Sequence, residues 1–146
     1  MRIRKAEQQD FERVIELCRE LQPADPILSD GSDRAVFDQI LDSPWLSLFV
    51  LEDDDGIQSS CYLNIIPNLT RSARPYAIIE NVITDASVRR KGYGKRIVQH
   101  ATAEAWAAGC YKVMLQTGSH RDSTHAFYTA CGFTGDQKRA FIIKRV

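Results

Sequence analysis

The feature that most constrains this chain is an abrupt change of texture between residues 76 and 96. Tyr76 to Thr84 reads Tyr-Ala-Ile-Ile-Glu-Asn-Val-Ile-Thr, an almost continuous apolar stretch that predicts a long strand buried on both faces. A polar, basic connection from Asp85 to Gly92 follows. Within it and just beyond, Arg89-Arg90-Lys91-Gly92-Tyr93-Gly94-Lys95-Arg96 sets five cations in eight positions around two glycines. Helical spacing then takes over as far as Ala108, with Ile97, Val98, Ala101, Ala105 and Trp106 on the side expected to face a core and Gly109 as a natural stop. A helix N-terminus presents backbone N–H groups without intrahelical partners and a partial positive charge. Glycines let that backbone come close to a ligand and the cations add charge, so the segment is composed as a seat for phosphate or pyrophosphate.

The rest of the chain supplies neighbours for this strand and helix. Arg2 to Ala6 alternates weakly as a first strand. Asp10 is placed to cap a helix in which Phe11, Val14, Ile15, Cys18 and Leu21 recur at helical spacing, before Pro23 and Pro26 end it. After a loop from Gln22 to Gly31, Ser32 or Asp33 caps a shorter helix carrying Val36, Phe37, Ile40 and Leu41, which Pro44 closes. The period then drops to two: Trp45 to Glu52 and Ile57 to Ile66 read as a hairpin around Asp53-Asp54-Asp55-Gly56. Pro67 to Pro75 is a loop carrying Arg71 and Arg74. Downstream of the long helix, Tyr111 to Thr117 is a strand, Asp122 to Cys131 a short helix stopped by Gly132, and Phe133 to Val146 a last extended segment. This order predicts an α/β (α+β) fold with helices on the faces of a mixed sheet, and 146 residues suit a single domain over 1–146.

Composition narrows the partners. Nineteen Lys and Arg balance nineteen Asp and Glu, so the surface as a whole is no basic blanket for nucleic acid or anionic lipid, and anion binding must be local. Met1-Arg-Ile-Arg-Lys-Ala has no apolar run behind its charges, so no signal peptide is expected. No apolar stretch approaches the roughly 20 residues of a membrane span. Cys18, Cys61, Cys110 and Cys131 are scattered without a Cys-x-x-Cys pair and are expected to be reduced thiols in a cytoplasmic protein. His100, His120 and His125 lack ligand spacing, and no metal is expected.

What the basic loop binds is narrowed by what it lacks. The first glycine of a G-x-x-x-x-G-K-[ST] loop is missing, and Arg96 stands where Ser or Thr should follow Lys95. Ile97 takes the place of the third glycine of a dinucleotide fingerprint. A nucleic-acid patch would favour a charge run without glycines at the turn. From these residues alone, a solvated basic loop stays open beside the phosphate seat. The pattern Arg89-x-x-Gly92-x-Gly94, however, resembles the acetyl-coenzyme A signature (Q/R)-x-x-G-x-(G/A) of the GNAT superfamily of N-acetyltransferases. The strand Ile79-Glu80-Asn81-Val82-Ile83-Thr84 precedes it as in that family. Ala126-Phe127-Tyr128-x-x-Cys131-Gly132-Phe133 is similar to the family's F-Y-x-x-x-G-F, and the element order resembles that fold over nearly the whole chain.

The resemblance implies a mostly antiparallel mixed sheet with helices on both faces and acetyl-coenzyme A as cosubstrate. It implies direct transfer of the acetyl group to a primary amine; the alternative is a non-catalytic coenzyme A sensor or a basic-loop binder of nucleic acid. The backbone of Val82, Ile83 and Thr84 would pair with the pantetheine arm. The amides of Arg90, Lys91, Gly92, Tyr93, Gly94 and Lys95 would hold the pyrophosphate, and the side chains of Arg89, Arg90 and Lys91 would reach the outer phosphates or face solvent. Family members often carry Asn seven residues before the tyrosine; this chain has Arg121 there, which departs from the pattern. Arg121, Ser123 and Phe127 are the remaining candidates on the cofactor side. The acceptor is expected to be a small-molecule amine rather than nucleic acid or a membrane, and homodimers are common among such families.

The chemistry asks for an amine without its extra proton and a proton for the departing thiolate. Glu80 shares a strand face with Ile78 and Val82 by alternation, where a carboxylate is costly without a partner or a task. It is the candidate base, directly or through a water; the competing reading is a structurally paired buried Glu. Tyr128, with a phenol of ordinary pKa about 10 near the basicity of an alkyl thiolate, is the candidate acid by the resemblance. Its competing reading is a packing aromatic beside Phe127. The resemblance further implies that the loops Gln22–Gly31 and Pro67–Pro75 frame the acceptor near Glu80, with Arg71 and Arg74 favouring an acceptor that bears phosphate or carboxylate.

Overall fold

The computed structural model describes residues 1–145. Strands β1 (Arg2–Lys5), β2 (Leu46–Asp53), β3 (Gly56–Ile66) and β4 (Tyr76–Thr84) pair antiparallel in chain order, and β5 (Val113–Leu115) joins β4 in parallel. The helices are α1 (Phe11–Leu21), α2 (Ser32–Asp42), the short turn α3 (Thr70–Ala73), α4 (Tyr93–Ala107) and α5 (Asp122–Ala130). This is the expected mixed, mostly antiparallel sheet with helices on both faces. The chain groups into two compact units, Met1–Leu115 with the whole sheet and α1 to α4, and Gln116–Val146 with α5.

In the first unit each sheet face has its own core. On one, Phe11, Val14 and Leu17 of α1 and Phe37 of α2 close over Leu48, Val50, Ile57 and Ile83, with Phe11 and Phe37 meeting edge to face at 5.3 Å. On the other, Ile97, Val98, Ala101 and Ala105 of α4 are fully buried against β2, β3 and β4. There the Cys61 thiol reaches the Ile97 carbonyl at 4.0 Å, and Phe49 packs edge-on to His100. Each such burial is worth roughly 1.5–3 kcal/mol, and together they pin α4 to the sheet. Its far end closes as the glycine predicts. Gly109 has φ +78°, its N–H donates to Trp106, and Cys110 N–H reaches back to the Ala105 carbonyl at 3.1 Å, the paired bonds of a left-handed helix stop.

Several expectations are corrected. Strand β4 keeps its expected bounds but is not buried along its whole length: Ala77, Ile79 and Ile83 are buried, whereas Glu80 and Asn81 between them are exposed. The reason is the shortness of β5, which flanks only Ala77 to Ile79. In α1 the third buried position is Leu17 rather than Leu21, which is 39% exposed, and Trp106 lies on the open side of α4 at 51%. Asp10 does not cap α1 with its side chain. It is buried and takes both guanidinium nitrogens of Arg4, at 2.5 and 3.0 Å, plus the Glu7 amide at 2.8 Å. The N-cap of α2 is Gly31 at φ +77°, with Ser32 and Asp33 already inside the helix. The segment from Phe133 forms no strand among the described residues; Val146 lies outside them.

The Arg4–Asp10 pair sets an acid limit on stability. Burial pushes the Asp10 carboxyl up, but the bonds from Arg4 and the Glu7 amide outweigh it and hold the group below its ordinary value. Asp85 is held well below the usual carboxylate range by the Ser87 hydroxyl and then by Arg13. A depressed carboxyl contributes stability that is present above its unfolded value of about 3.9 and is lost as pH falls through the folded one. Asp10→Asn is therefore expected to cost about 1–3 kcal/mol at neutral pH and to flatten the acid limb of a Tm-against-pH curve. An unchanged acid slope would remove Asp10 as its source.

Candidate active site

The basic loop is shaped by two left-handed residues. Arg90 has φ +65° and Gly92 φ +88°, and an αL residue costs a side chain about 1–2 kcal/mol that glycine avoids. Alternation of this kind turns successive N–H groups towards one concavity. Gly92 is the N-cap of α4, and the first intrahelical rung is Arg96 N–H to the Gly92 carbonyl at 3.1 Å. The amides of Gly92, Tyr93, Gly94 and Lys95 thus precede the ladder and sit at the positive end of a 15-residue helix. The Tyr93 ring is buried, with its hydroxyl donating to Asp53 at 2.5 Å, so its main chain alone belongs to the loop. The side chains of Arg90, Lys91 and Lys95 are exposed. Arg89 is exposed too but tied to the protein: its Nε donates to the Thr84 carbonyl at 3.0 Å and its Nη2 to Glu20 at 3.2 Å.

Directly before this loop, β4 loses its outer neighbour. The parallel pairing runs Ala77↔Val113, Ile78↔Met114 and Ile79↔Leu115 and ends there, so in the first unit the main chain from Glu80 to Thr84 has a partner strand on the β3 side alone. A bulge occurs at the same place. Glu80 pairs with Tyr62 and Ile83 with Ser60, so that Asn81 and Val82 oppose the single residue Cys61. Asn81 takes φ +49°, a conformation Asn tolerates better than most residues. The Ser59 hydroxyl donates to the Ile83 carbonyl, and Asp85 N–H donates to Gln58 at 2.9 Å. Main-chain groups alternate in direction along a strand, so Ile83 is directed at β3, and Val82 and Thr84 present theirs to the open edge. That edge, followed by the amide concavity, matches in chemistry an amide-bearing arm that continues into a diphosphate.

Glu80 stands at the start of the open edge and is exposed, not the buried carboxylate its apolar flanks predict. Across the strand pair, burial pushes the Tyr62 phenol up, and the Asn81 amide opposes the shift in part. Tyr62 also lines a cavity of about 280 Å³ with Val14, Cys18, Leu28, Val36 and Phe37. Leu28 is the contribution of the loop Gln22–Gly31. The loop from Pro67 to Pro75 lies at the opposite end of β4, where α3 and the residue that caps it carry Arg71 and Arg74 on an exposed turn. Asn81 and Tyr62 carry the local geometry and were not legible as site residues: a bulge leaves no mark in the period of the strand, and a cross-strand partner is known only with the register.

In the second unit the Phe-Tyr-x-x-Cys-Gly-Phe segment is a helix stop with its apolar clasp. Gly132 has φ +99°, its N–H donates to Thr129, and Phe133 N–H reaches the Tyr128 carbonyl at 3.1 Å. The Tyr128 and Phe133 rings meet at 6.5 Å, and Phe127 packs on Tyr128 at 5.0 Å. This fixes where α5 ends and the backbone from which Tyr128 projects. Arg121 is the N-cap of α5, and its side chain and that of Ser123 are exposed. Ser119 organises the loop before them, its hydroxyl 3.0 Å from Thr124 Oγ1 and its carbonyl 2.8 Å from His125 Nε2. Among the described residues no three His, Cys, Asp or Glu side chains are grouped to hold a metal ion, and no helix is long and apolar enough to cross a membrane.

Comparison with known proteins gives the geometry its context. The model of the acetyltransferase (GNAT) family matches residues 4–133. A solved putative acetyltransferase from Agrobacterium tumefaciens is 43% identical, with a TM-score of 0.95 over 99% of this chain and 100% of that one. A glucosamine 6-phosphate N-acetyltransferase of Trypanosoma brucei brucei is 27% identical over 141 residues, 95% of this chain and 92% of that protein. An uncharacterized N-acetyltransferase of Bacillus subtilis is 34% identical over a stretch that spans 60% of this chain and 61% of that protein.

Gly92→Ala separates the loop's conformation from its packing, because an added Cβ would meet nothing within 4 Å. Its expected cost is the left-handed penalty, about 1–2 kcal/mol in stability, together with about tenfold weaker coenzyme A binding by calorimetry. Unchanged affinity in a folded variant would take the concavity out of the cofactor site.

Proposed function

The chain belongs to the acetyltransferase (GNAT) family, and on that footing we propose that it moves an acetyl group from acetyl-coenzyme A to the primary amine of a small molecule by direct attack. The observation that carries this reading is the pairing of β4. Its β5 partner stops opposite Ile79, which leaves the Val82 main chain and the Thr84 N–H able to bond an extended pantetheine arm as an added strand would, the Thr84 carbonyl already accepting from Arg89. The arm then runs towards the Arg90–Lys95 loop, where the amides of Gly92, Tyr93, Gly94 and Lys95 suit the diphosphate, whereas the expected Lys91 amide donates to the Val88 carbonyl at 3.3 Å instead. Arg90 and Lys91 are exposed cations available to an outer phosphate. Arg89 is assigned a different part, holding Thr84 and Glu20 together at the turn. Arg121, Ser123 and Phe127 are assigned to the cofactor side by the family pattern.

The reaction forms one C–N bond and breaks one C–S bond. Glu80, directly or through a water, takes the extra proton from the ammonium form of the acceptor, the freed amine nitrogen attacks the thioester carbonyl, and the proton that this nitrogen sheds as the amide forms replaces the one Tyr128 gives up. The coenzyme A thiolate leaves and takes a proton from Tyr128. The exposure of Glu80 fits the water-relayed form, since solvent reaches the carboxylate. The pairing of the trypanosomal relative's named substrate with the cations near this strand makes a phosphorylated amino sugar the first acceptor to try.

Two measurements test the reading. Acetyl-coenzyme A, but not NAD or ATP, should raise Tm, with a stabilisation of about 2.7 kcal/mol at a hundred times Kd, and an amine panel should release free thiol. Absence of both effects would overturn it. Glu80→Gln is expected to lower kcat about 100-fold near neutral pH, with a loss that shrinks at high pH because the amine is then already deprotonated. Tyr128→Phe is expected to lower kcat with little change in acetyl-coenzyme A affinity. Full turnover by either variant removes that residue from the mechanism.

A further inference from the structure

The loop between β3 and β4 contains backbone that sequence alone would not place there. Arg71, Ser72 and Ala73 have φ of +57°, +60° and +59°, three consecutive left-handed residues, none of them glycine. Each costs about 1–2 kcal/mol against the right-handed form, so something must hold the turn. Asn68 does so: its Nδ2 donates to the Thr70 carbonyl at 2.9 Å, to Thr70 Oγ1 at 3.0 Å and to the Arg74 carbonyl at 3.2 Å. The result is a placed cation. The Arg71 guanidinium lies 5.8 Å from the centre of the Tyr111 ring. Lys112 Nζ lies 5.4 Å from that ring and 5.1 Å from the Tyr76 ring, and the two rings meet at 6.4 Å. Among the described residues, neither cation has a carboxylate within ion-pair distance. Two cations held over two rings, with no counter-charge, make a local positive potential that favours an anion.

The register ties this corner to Glu80. Ala77 pairs with Val113 and Ile78 with Met114, so Lys112 lies opposite Tyr76. Tyr76, Ile78 and Glu80 then share one sheet face by alternation, because the bulge begins only at Asn81. The face therefore runs from a carboxylate at Glu80, across Ile78 with Asn64 as its partner, to the cationic corner at Tyr76. Four residues of strand separate the ends, about 13 Å between backbones. The reach of the Lys112 and Glu80 side chains shortens the gap to the length of a small bifunctional molecule.

We infer that Arg71, Lys112, Tyr76 and Tyr111 form an anion subsite, and that the acceptor is a small amine carrying a phosphate or carboxylate at the end remote from its amino group. This rests on the transferase reading above: the amine lies by Glu80 and the anion by Lys112. The subsite selects and orients the acceptor and takes no part in proton transfer. Arg74 ends the turn and bonds Asn68 through its carbonyl, so Arg71 is the recognition residue of the two arginines.

The test uses full-length protein with saturating coenzyme A and two matched pairs of probes. Glucosamine against glucosamine 6-phosphate reads phosphate; hexylamine against ε-aminocaproate reads carboxylate. In at least one pair the anionic member should bind about tenfold tighter, the scale of a charge-assisted contact. Arg71→Ala, which leaves the backbone demand as it is, and Lys112→Met, which keeps length over the rings, should each abolish most of that preference. In turnover they should raise the acceptor KM and spare kcat, and Lys112→Arg should restore the preference. Equal binding within both pairs, no binding of either anionic probe, or a preference that survives both variants overturns the subsite. Failure of the wild type to bind acetyl-coenzyme A is a separate result that overturns the transferase reading instead.

Discussion

Among the described residues of the first unit, strand β4 has a neighbour on each side for its first half and on one side for its second, and the site in that unit follows from the asymmetry. A strand edge with unpaired N–H and C=O groups is a liability, because those groups seek any extended chain that will bond them. Here the liability is confined. The open edge begins where β5 ends at Leu115, and the bulge at Asn81 twists the strand at the same point. Ile83 is directed into the α1 core, and α4 is pinned from the other face through Ile97 and Ala101. The open segment is therefore rigid without being satisfied, which is the condition under which an extended ligand binds without first ordering its host.

The bulge also explains how one strand serves two cores. Before it, Ile79 shares a face with Leu63 and points to α4; after it, Ile83 belongs with Val14 and Leu17 of α1. Without the extra residue the alternation would carry Ile83 to the α4 side and leave a hole under α1. The cost falls on Asn81, whose left-handed backbone is a mild strain for that residue type. The carboxylate just before it is displaced from both cores and set in solvent.

The sequence carried the frame because helix stops, strand content and glycine loops are local properties. The bounds of β4, the basic loop before α4 and the glycines at 109 and 132 could all be read in place, since each rests on residues adjacent in the chain. The misreadings are non-local. The apolar flanks of Glu80 predict a buried carboxylate, but its exposure depends on how far β5 reaches, and β5 is three residues long. Asp10 looks like a cap from its position, yet Arg4, brought beside it by the first strand, claims its carboxylate. Lys112 could not be grouped with Arg71 from sequence, because 41 positions separate them and only the parallel register of β5 brings them to the same rings.

The left-handed turn at Arg71 is the clearest case of local and tertiary terms set against each other. Three αL residues cost on the order of 3–6 kcal/mol together. Asn68 shares its two amide protons among the three acceptors, and with Arg74 N–H to the Arg71 carbonyl at 3.4 Å that makes three bonds returning about 0.5–1.5 kcal/mol each, so the two sides lie within a few kcal/mol of one another. A turn so balanced is held by one side chain rather than by its own residues. Arg71 keeps its place over Tyr111 only while Asn68 keeps its bonds. The orientation of a cation at one end of the β4 face is thus decided by an asparagine that touches neither ring.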